Sequence, residues 1–167
     1  MEGISKSMQI PDGITGVPTG FPSIDVVTGG WQKKDLIIIA GRSAMGKTAF
    51  AVCSVLRSAI SFGKPGAIFS LEMGAEQLVL RMITSELDHL ELSTDKLRRG
   101  KISDDQYKAI HQNINELVTS NILIDDTPAL SIAKLRGKAF YLKRKHKIEW
   151  IVIDYLQLMT GDVKKGM

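Results

Sequence analysis

The stretch Leu36-Ile37-Ile38-Ile39-Ala40-Gly41-Arg42-Ser43-Ala44-Met45-Gly46-Lys47-Thr48 constrains this chain more than any other. An apolar, β-branched run drops directly into G-x-x-x-x-G-K-T, the P-loop pattern. The chemistry explains the residue types. Gly41 and Gly46 let the backbone curl, so that successive N–H groups through Arg42, Ser43, Ala44 and Met45 turn toward phosphate oxygens. Lys47 reaches the β- and γ-phosphates, and Thr48 offers a hydroxyl to Mg²⁺. From Ala49 onward, Ala51, Val52, Val55, Leu56, Ala59 and Ile60 follow a helical spacing. The loop therefore meets a helix N-terminus, whose partial positive charge favours an anion. Residues 41–49 are the candidate ATP-binding loop, and residues 35–40 are expected to form a buried strand.

The rest of the chain alternates in the same way. A Gly/Pro-punctuated segment, Gly16-Val17-Pro18-Thr19-Gly20-Phe21-Pro22, precedes a short helical turn near residues 23–27. Gly63-Lys64-Pro65-Gly66 stops the P-loop helix, and Ala67-Ile68-Phe69-Ser70-Leu71 reads as a second buried strand ending at Glu72. Residues 75–87 form an amphipathic pattern with Leu78, Met82 and Ile83 inward and Arg81 on the crevice side. Ser103-Asp104-Asp105-Gln106 is a capping box opening a helix with Tyr107, Ile110, Ile114, Leu117 and Val118 at helical period. Short strands at 121–126 and 149–154 flank a helix capped by Ser131. Strands alternating with helices predict an α/β fold with a mainly parallel sheet.

Two acids complete the expected nucleotide site. Ile151-Val152-Ile153-Asp154 is an apolar strand ending in a carboxylate, the arrangement by which an anion at a strand end holds Mg²⁺ through its waters. Asp125 ends a shorter apolar run and is the rival. Tyr155 follows Asp154 where many P-loop ATPases carry a glutamate, so the base that activates water must lie elsewhere. Glu72 is the candidate: strand ends in open α/β sheets face the ligand crevice, which would bring its carboxylate toward the γ-phosphate.

Taken together, Thr19-Gly20-Phe21 with Ile24-Asp25, the P-loop, Phe69-Ser70-Leu71-Glu72-Met73 and Ile153-Asp154-Tyr155-Leu156-Gln157-Leu158-Met159 resemble the C-terminal ATPase domain of DnaB-type replicative DNA helicases. The resemblance covers residues 16–159. It implies a RecA-like fold, a homo-hexameric ring, ATP and Mg²⁺ as cofactors, and 5′-to-3′ unwinding of duplex DNA with single-stranded DNA, primase and helicase loader as partners. It also implies Glu72 and Lys47 as catalytic residues, Thr48 and Asp154 as metal ligands, and Arg81 as an arginine near the nucleotide. Ser43-Ala44 stands where members of this family commonly have Pro-Ser, a modest change because the cradle is made by backbone. On this reading residues 1–15 are a flexible lead-in or linker remnant and residues 16–167 the N-terminal part of the ATPase domain. The polar strand expected between the P-loop strand and the Asp154 strand falls beyond the sequence. That implies a piece of a longer protein, binding ATP weakly and hydrolysing it poorly alone.

Composition narrows the alternatives without choosing among them. With 44% hydrophobic and 24% charged residues over 167 positions, the chain has the balance of one globular domain. Its net charge of +4 permits an acidic partner. The single cysteine, Cys53, excludes an internal disulfide and reads as a small packed residue within the P-loop helix. No apolar run is long enough to span a membrane and no signal peptide is evident, so the expected location is the cytoplasm and no membrane contact is expected. Residues 131–147 carry seven Lys and Arg and no acid, which reads first as a solvated cationic face, with too few aromatics for base stacking. Two other readings stand beside the helicase: a RecA-like recombination or signalling ATPase, and a non-hydrolysing nucleotide-binding assembly module.

Overall fold

The computed structural model describes residues 13–42 and 44–161; the lead-in expected over 1–12 and the loop residue Ser43 lie outside these. Five α-helices longer than one turn and three strands follow in chain order among the described residues: α1 (Pro22–Thr28), α2 (Lys47–Ile60), β1 (Gly66–Ser70), α3 (Ala75–Glu86), the short α4 (Thr94–Arg98), α5 (Asp104–Thr119), β2 (Ile122–Asp125), α6 (Ile132–His146) and β3 (Trp150–Asp154). The sheet is parallel throughout, in the order β2-β1-β3. Ser103 caps α5 with the full reciprocal capping box, and Ser131 caps α6 through the Lys134 N–H.

β1 is the centre of the molecule and is buried along its whole length. Side chains alternate across a strand, so β1 serves two cores at once. Ile68 faces Val52, Val55 and Leu56 of α2 and Leu78 and Met82 of α3. Ala67 and Phe69 face the other way, against Leu130, Leu135 of α6 and Ile148. α2 and α6 therefore cover opposite faces of the sheet. Gly66 is required where β1 meets β3, because a Cβ there would collide with the indole of Trp150. That indole is fixed in turn by its N–H donating to the Lys64 carbonyl at 3.2 Å.

Two expectations need correction. The run 35–40 forms no strand among the described residues, and Leu36 and Ile38 are 86% and 76% exposed. Its β-branched composition suits a buried strand, but a strand also needs a ladder partner. β3 pairs with β1 on one edge only, and Ile151 on β3 is 40% exposed. Pairing, not propensity, is what the run lacks. The second correction concerns α5. Ile110 and Leu117 pack inward, whereas Tyr107 and Val118 are exposed, so the helix buries a narrower stripe than its period suggested. Tyr107 instead meets His111 edge-on, with ring centroids 4.5 Å apart.

Candidate active site

The P-loop is built by backbone conformation. Ala44 and Gly46 hold φ of 62° and 81°, the left-handed region that turns consecutive N–H groups to one side. Gly46 is the N-cap of α2, and the Phe50 N–H already closes the first helical turn onto the Gly46 carbonyl at 2.9 Å. The unused N–H groups at this terminus are what an anion would take. Lys47 curls over the loop, its Nζ donating to the carbonyls of Gly41 at 3.0 Å and Arg42 at 3.1 Å. Gly41, Arg42, Met45, Gly46 and Lys47, with Phe50 at one side, line an open concavity.

Thr48 and Asp154 stand 106 positions apart in sequence and meet here. The Thr48 hydroxyl donates to Asp154 Oδ2 at 2.8 Å. Both side chains are half-buried. Two hard oxygens side by side, next to a phosphate cradle, suit Mg²⁺, which takes one or two protein oxygens and completes its shell with water and phosphate. The donor set therefore fits the ion. Asp125, the rival, ends β2 on the far side of β1 and is engaged otherwise. It accepts from Lys138 and from the hydroxyl and N–H of Thr127. Burial opposes its ionisation, but the Lys138 and Thr127 hydrogen bonds and the Lys138 charge together hold its carboxyl below the usual carboxylate range.

Glu72 lies two residues beyond the end of β1. Ser70 is in register with Asp154, and the Leu71 N–H donates to the Asp154 carbonyl at 2.7 Å. The chain thus carries the exposed Glu72 carboxylate past the Thr48–Asp154 pair. Beyond it, Ser70 Oγ donates to the Met73 carbonyl at 2.7 Å and Asp126 caps the Ala75 N–H at 2.9 Å, which fixes the turn into α3 from both ends. Arg81 is exposed on α3 and is not among the residues lining the P-loop concavity. Ala49 is exposed at the start of α2.

The sequence reading gave the Thr19-Gly20-Phe21 segment no physical task, and the structure supplies one. The segment is clamped onto α2. Ser54 Oγ donates to the Thr19 carbonyl at 2.7 Å, Ser58 Oγ to the Pro18 carbonyl, and Arg57 Nη1 to the Gly20 carbonyl at 2.9 Å. Phe21 stacks on Phe50 with centroids 4.8 Å apart, and the Arg57 guanidinium covers the other ring at the same separation. Gly20, at φ 79°, lies so close to Arg57 that a Cβ would overlap it. Asp25 is buried and accepts the Thr19 N–H at 2.8 Å. The serines at i and i+4 of an otherwise apolar helix were the available signal. Asp25→Ala is expected to cost about 1–3 kcal/mol, because it strands a buried N–H. Denaturant unfolding measures this, and an unchanged midpoint would show that the clamp does not depend on that carboxylate.

Comparison with known proteins agrees with this geometry. The model of the DnaB-like helicase C-terminal domain family matches residues 16–166. The replicative DNA helicase DnaC of Bacillus subtilis is 43% identical over 148 residues, and the replicative DNA helicase DnaB of Geobacillus stearothermophilus is 42% identical over the same length. Each alignment covers 89% of this chain, which spans about a third (32%) of either relative. A solved helicase ATPase domain superposes with a TM-score of 0.85 at 29% identity, covering 99% of this chain and 57% of its own. A DnaB-like replicative helicase studied with primase gives 0.82 at 29% identity, covering 99% and 40%. The architecture is therefore RecA-like, a parallel sheet between helical layers. With its P-loop, its Thr48–Asp154 pair and a family match over nearly its whole length, the chain belongs to the DnaB-like helicase C-terminal domain family.

Proposed function

We propose that this chain is the nucleotide-hydrolysing part of a replicative DNA helicase, using ATP with Mg²⁺ to drive a ring along single-stranded DNA and open duplex. The observation that carries the reading is the Thr48–Asp154 hydrogen bond at 2.8 Å beside a left-handed P-loop. It joins the two halves of a hydrolytic site across the whole chain. Within it the loop N–H groups of residues 41–46 and Lys47 bind and orient the phosphates. Mg²⁺, when bound, neutralises phosphate charge, and Thr48 and Asp154 would hold it. Glu72 takes the proton from the attacking water, and Arg81 approaches the nucleotide from α3. Residues 16–167 form the ATPase domain, and residues 1–15 are a linker to what precedes it.

A homo-hexamer with primase and loader contacts, working in the cytoplasm, is the assembly this reading requires. The names of the relatives and the primase study of one structural neighbour support it. No helix among the described residues is long and apolar enough to cross a membrane. The test compares ATP hydrolysis and strand displacement by the full gene product, with and without single-stranded DNA. DNA-stimulated hydrolysis coupled to unwinding is expected. Tight ATP binding with neither activity would instead assign a nucleotide-cemented assembly module.

A further inference from the structure

We propose that the outward face of α6 is a second contact surface for single-stranded DNA, separate from the nucleotide site and resting on the helicase reading above. α6 packs through Leu135 and Leu142 on the sheet face opposite α2, so its outer side is remote from the phosphate cradle. Two of its seven neighbouring cations are already engaged. Lys138 is paired with Asp125, and Lys143 donates to the Ile148 carbonyl at 2.6 Å. The other five, Lys134, Arg136, Arg144, Lys145 and Lys147, have no acidic partner among the described residues. From Lys134 to Lys147 they extend roughly 20 Å along the axis, enough for several nucleotides of extended backbone.

Charge alone would describe a solvated cationic helix. Two further observations point to a ligand with flat apolar faces. Phe140 and Tyr141 are adjacent, and both are more than half exposed, at 59% and 56%. Each carries a cation. The Arg136 guanidinium lies 5.5 Å from the Phe140 ring centre, and the Lys145 ammonium lies 5.4 Å from that of Tyr141 while donating to its hydroxyl at 2.9 Å. Between them lies Gly137, in the middle of an exposed helix. Glycine there costs about 0.5–1 kcal/mol relative to alanine, yet a Cβ at this position would meet nothing within 4 Å. Packing does not demand it. What glycine leaves is a shallow notch lined by Phe140, Tyr141, Arg144 and Lys145.

Rings for stacking and cations for phosphates, alternating along one groove, match the chemistry of an unpaired strand, whose bases are free to leave their stack. A duplex hides those faces. An acidic polypeptide satisfies the charge but gives the rings and the notch nothing specific. The helix has only two aromatics, which made stacking look unsupported from sequence; exposure and adjacency make two sufficient.

The test uses the full gene product and a single-stranded oligodeoxythymidine bearing 5-iododeoxyuridine, with photocrosslinks mapped to peptides. Crosslinks at Phe140 or Tyr141 are expected, falling about ten-fold in Arg144→Glu/Lys145→Glu at low salt. Gly137→Leu, which fills the notch without meeting a neighbour, should lower the yield as well. DNA-independent ATP hydrolysis should be unchanged in both. Absence of crosslinks on α6, or yields indifferent to charge reversal, overturns the proposal. So does loss of polyglutamate binding in the charge-reversed variant with DNA crosslinking intact, which would assign the face to an acidic protein segment. A protein that unwinds DNA without crosslinking at α6 loses this inference alone. Crosslinking at α6 in a protein without DNA-stimulated hydrolysis keeps the surface and overturns the helicase reading.

Discussion

Glu72→Gln in the full gene product is expected to lower ATP turnover by about two orders of magnitude or more while leaving nucleotide affinity within a few-fold. The substitution keeps the size and the hydrogen-bonding oxygen of the side chain and removes only its ability to accept a proton. Affinity is carried elsewhere, by the loop N–H groups and Lys47. The placement of Glu72 is what makes the separation clean. Backbone pairing of Ser70 with Asp154, and the 2.7 Å bond from the Leu71 N–H to the Asp154 carbonyl, fix where the chain leaves the sheet. The carboxylate is then delivered from a rigid strand end, although it is itself exposed and free to turn toward a water. Steady-state hydrolysis and equilibrium binding of a fluorescent ATP analogue read the two effects separately. Turnover that survives the substitution would move the base to another residue. Equal loss of turnover and binding would make Glu72 part of the cradle.

How far such a site can be read from sequence depends on whether its signal is local. The P-loop was legible because its conformation is written in adjacent residues: a left-handed Gly46 and a helix that starts at Lys47. β1 and β3 were legible because short apolar runs bounded by glycine and charge have few other uses. The run 36–39 is as apolar as either and still lies outside the sheet, since no local feature reports whether a neighbouring strand is present to receive it. Tyr107 and Val118 misled for a related reason. A helical period shows which residues share a stripe, but the width of what lies opposite decides how much of it is buried. The clamp of Pro18, Thr19 and Gly20 onto Ser54, Arg57 and Ser58 is a contact across about 35–40 positions and leaves almost no mark in either segment alone.

Asp154 and Thr48 offer the sharper test of the metal assignment, because they touch. Asp154→Asn retains an oxygen to accept from the Thr48 hydroxyl but removes the charge, so the fold should persist while the Mg²⁺ concentration for half-maximal hydrolysis rises. Turnover at saturating ATP is expected to fall by about two orders of magnitude, as for loss of a charged group that orients phosphate. Thr48→Ala removes the hydroxyl and frees Asp154 Oδ2 of its 2.8 Å partner. It should produce a loss of similar kind. Residues acting on one ion do not contribute independently, so the double variant should be little worse than Asp154→Asn alone. Additive losses would mean that the two oxygens serve different steps. Asp125→Asn is the internal control. Its carboxylate is tied to Lys138 and Thr127 on the other side of β1, and its removal should leave the Mg²⁺ dependence unchanged. Because its folded-state pKa lies below the ordinary value, the stability it contributes is present near neutrality and is lost only as pH falls through that lowered pKa. A Mg²⁺ titration that shifts for Asp125→Asn and not for Asp154→Asn would reverse the assignment of the two strand-end acids.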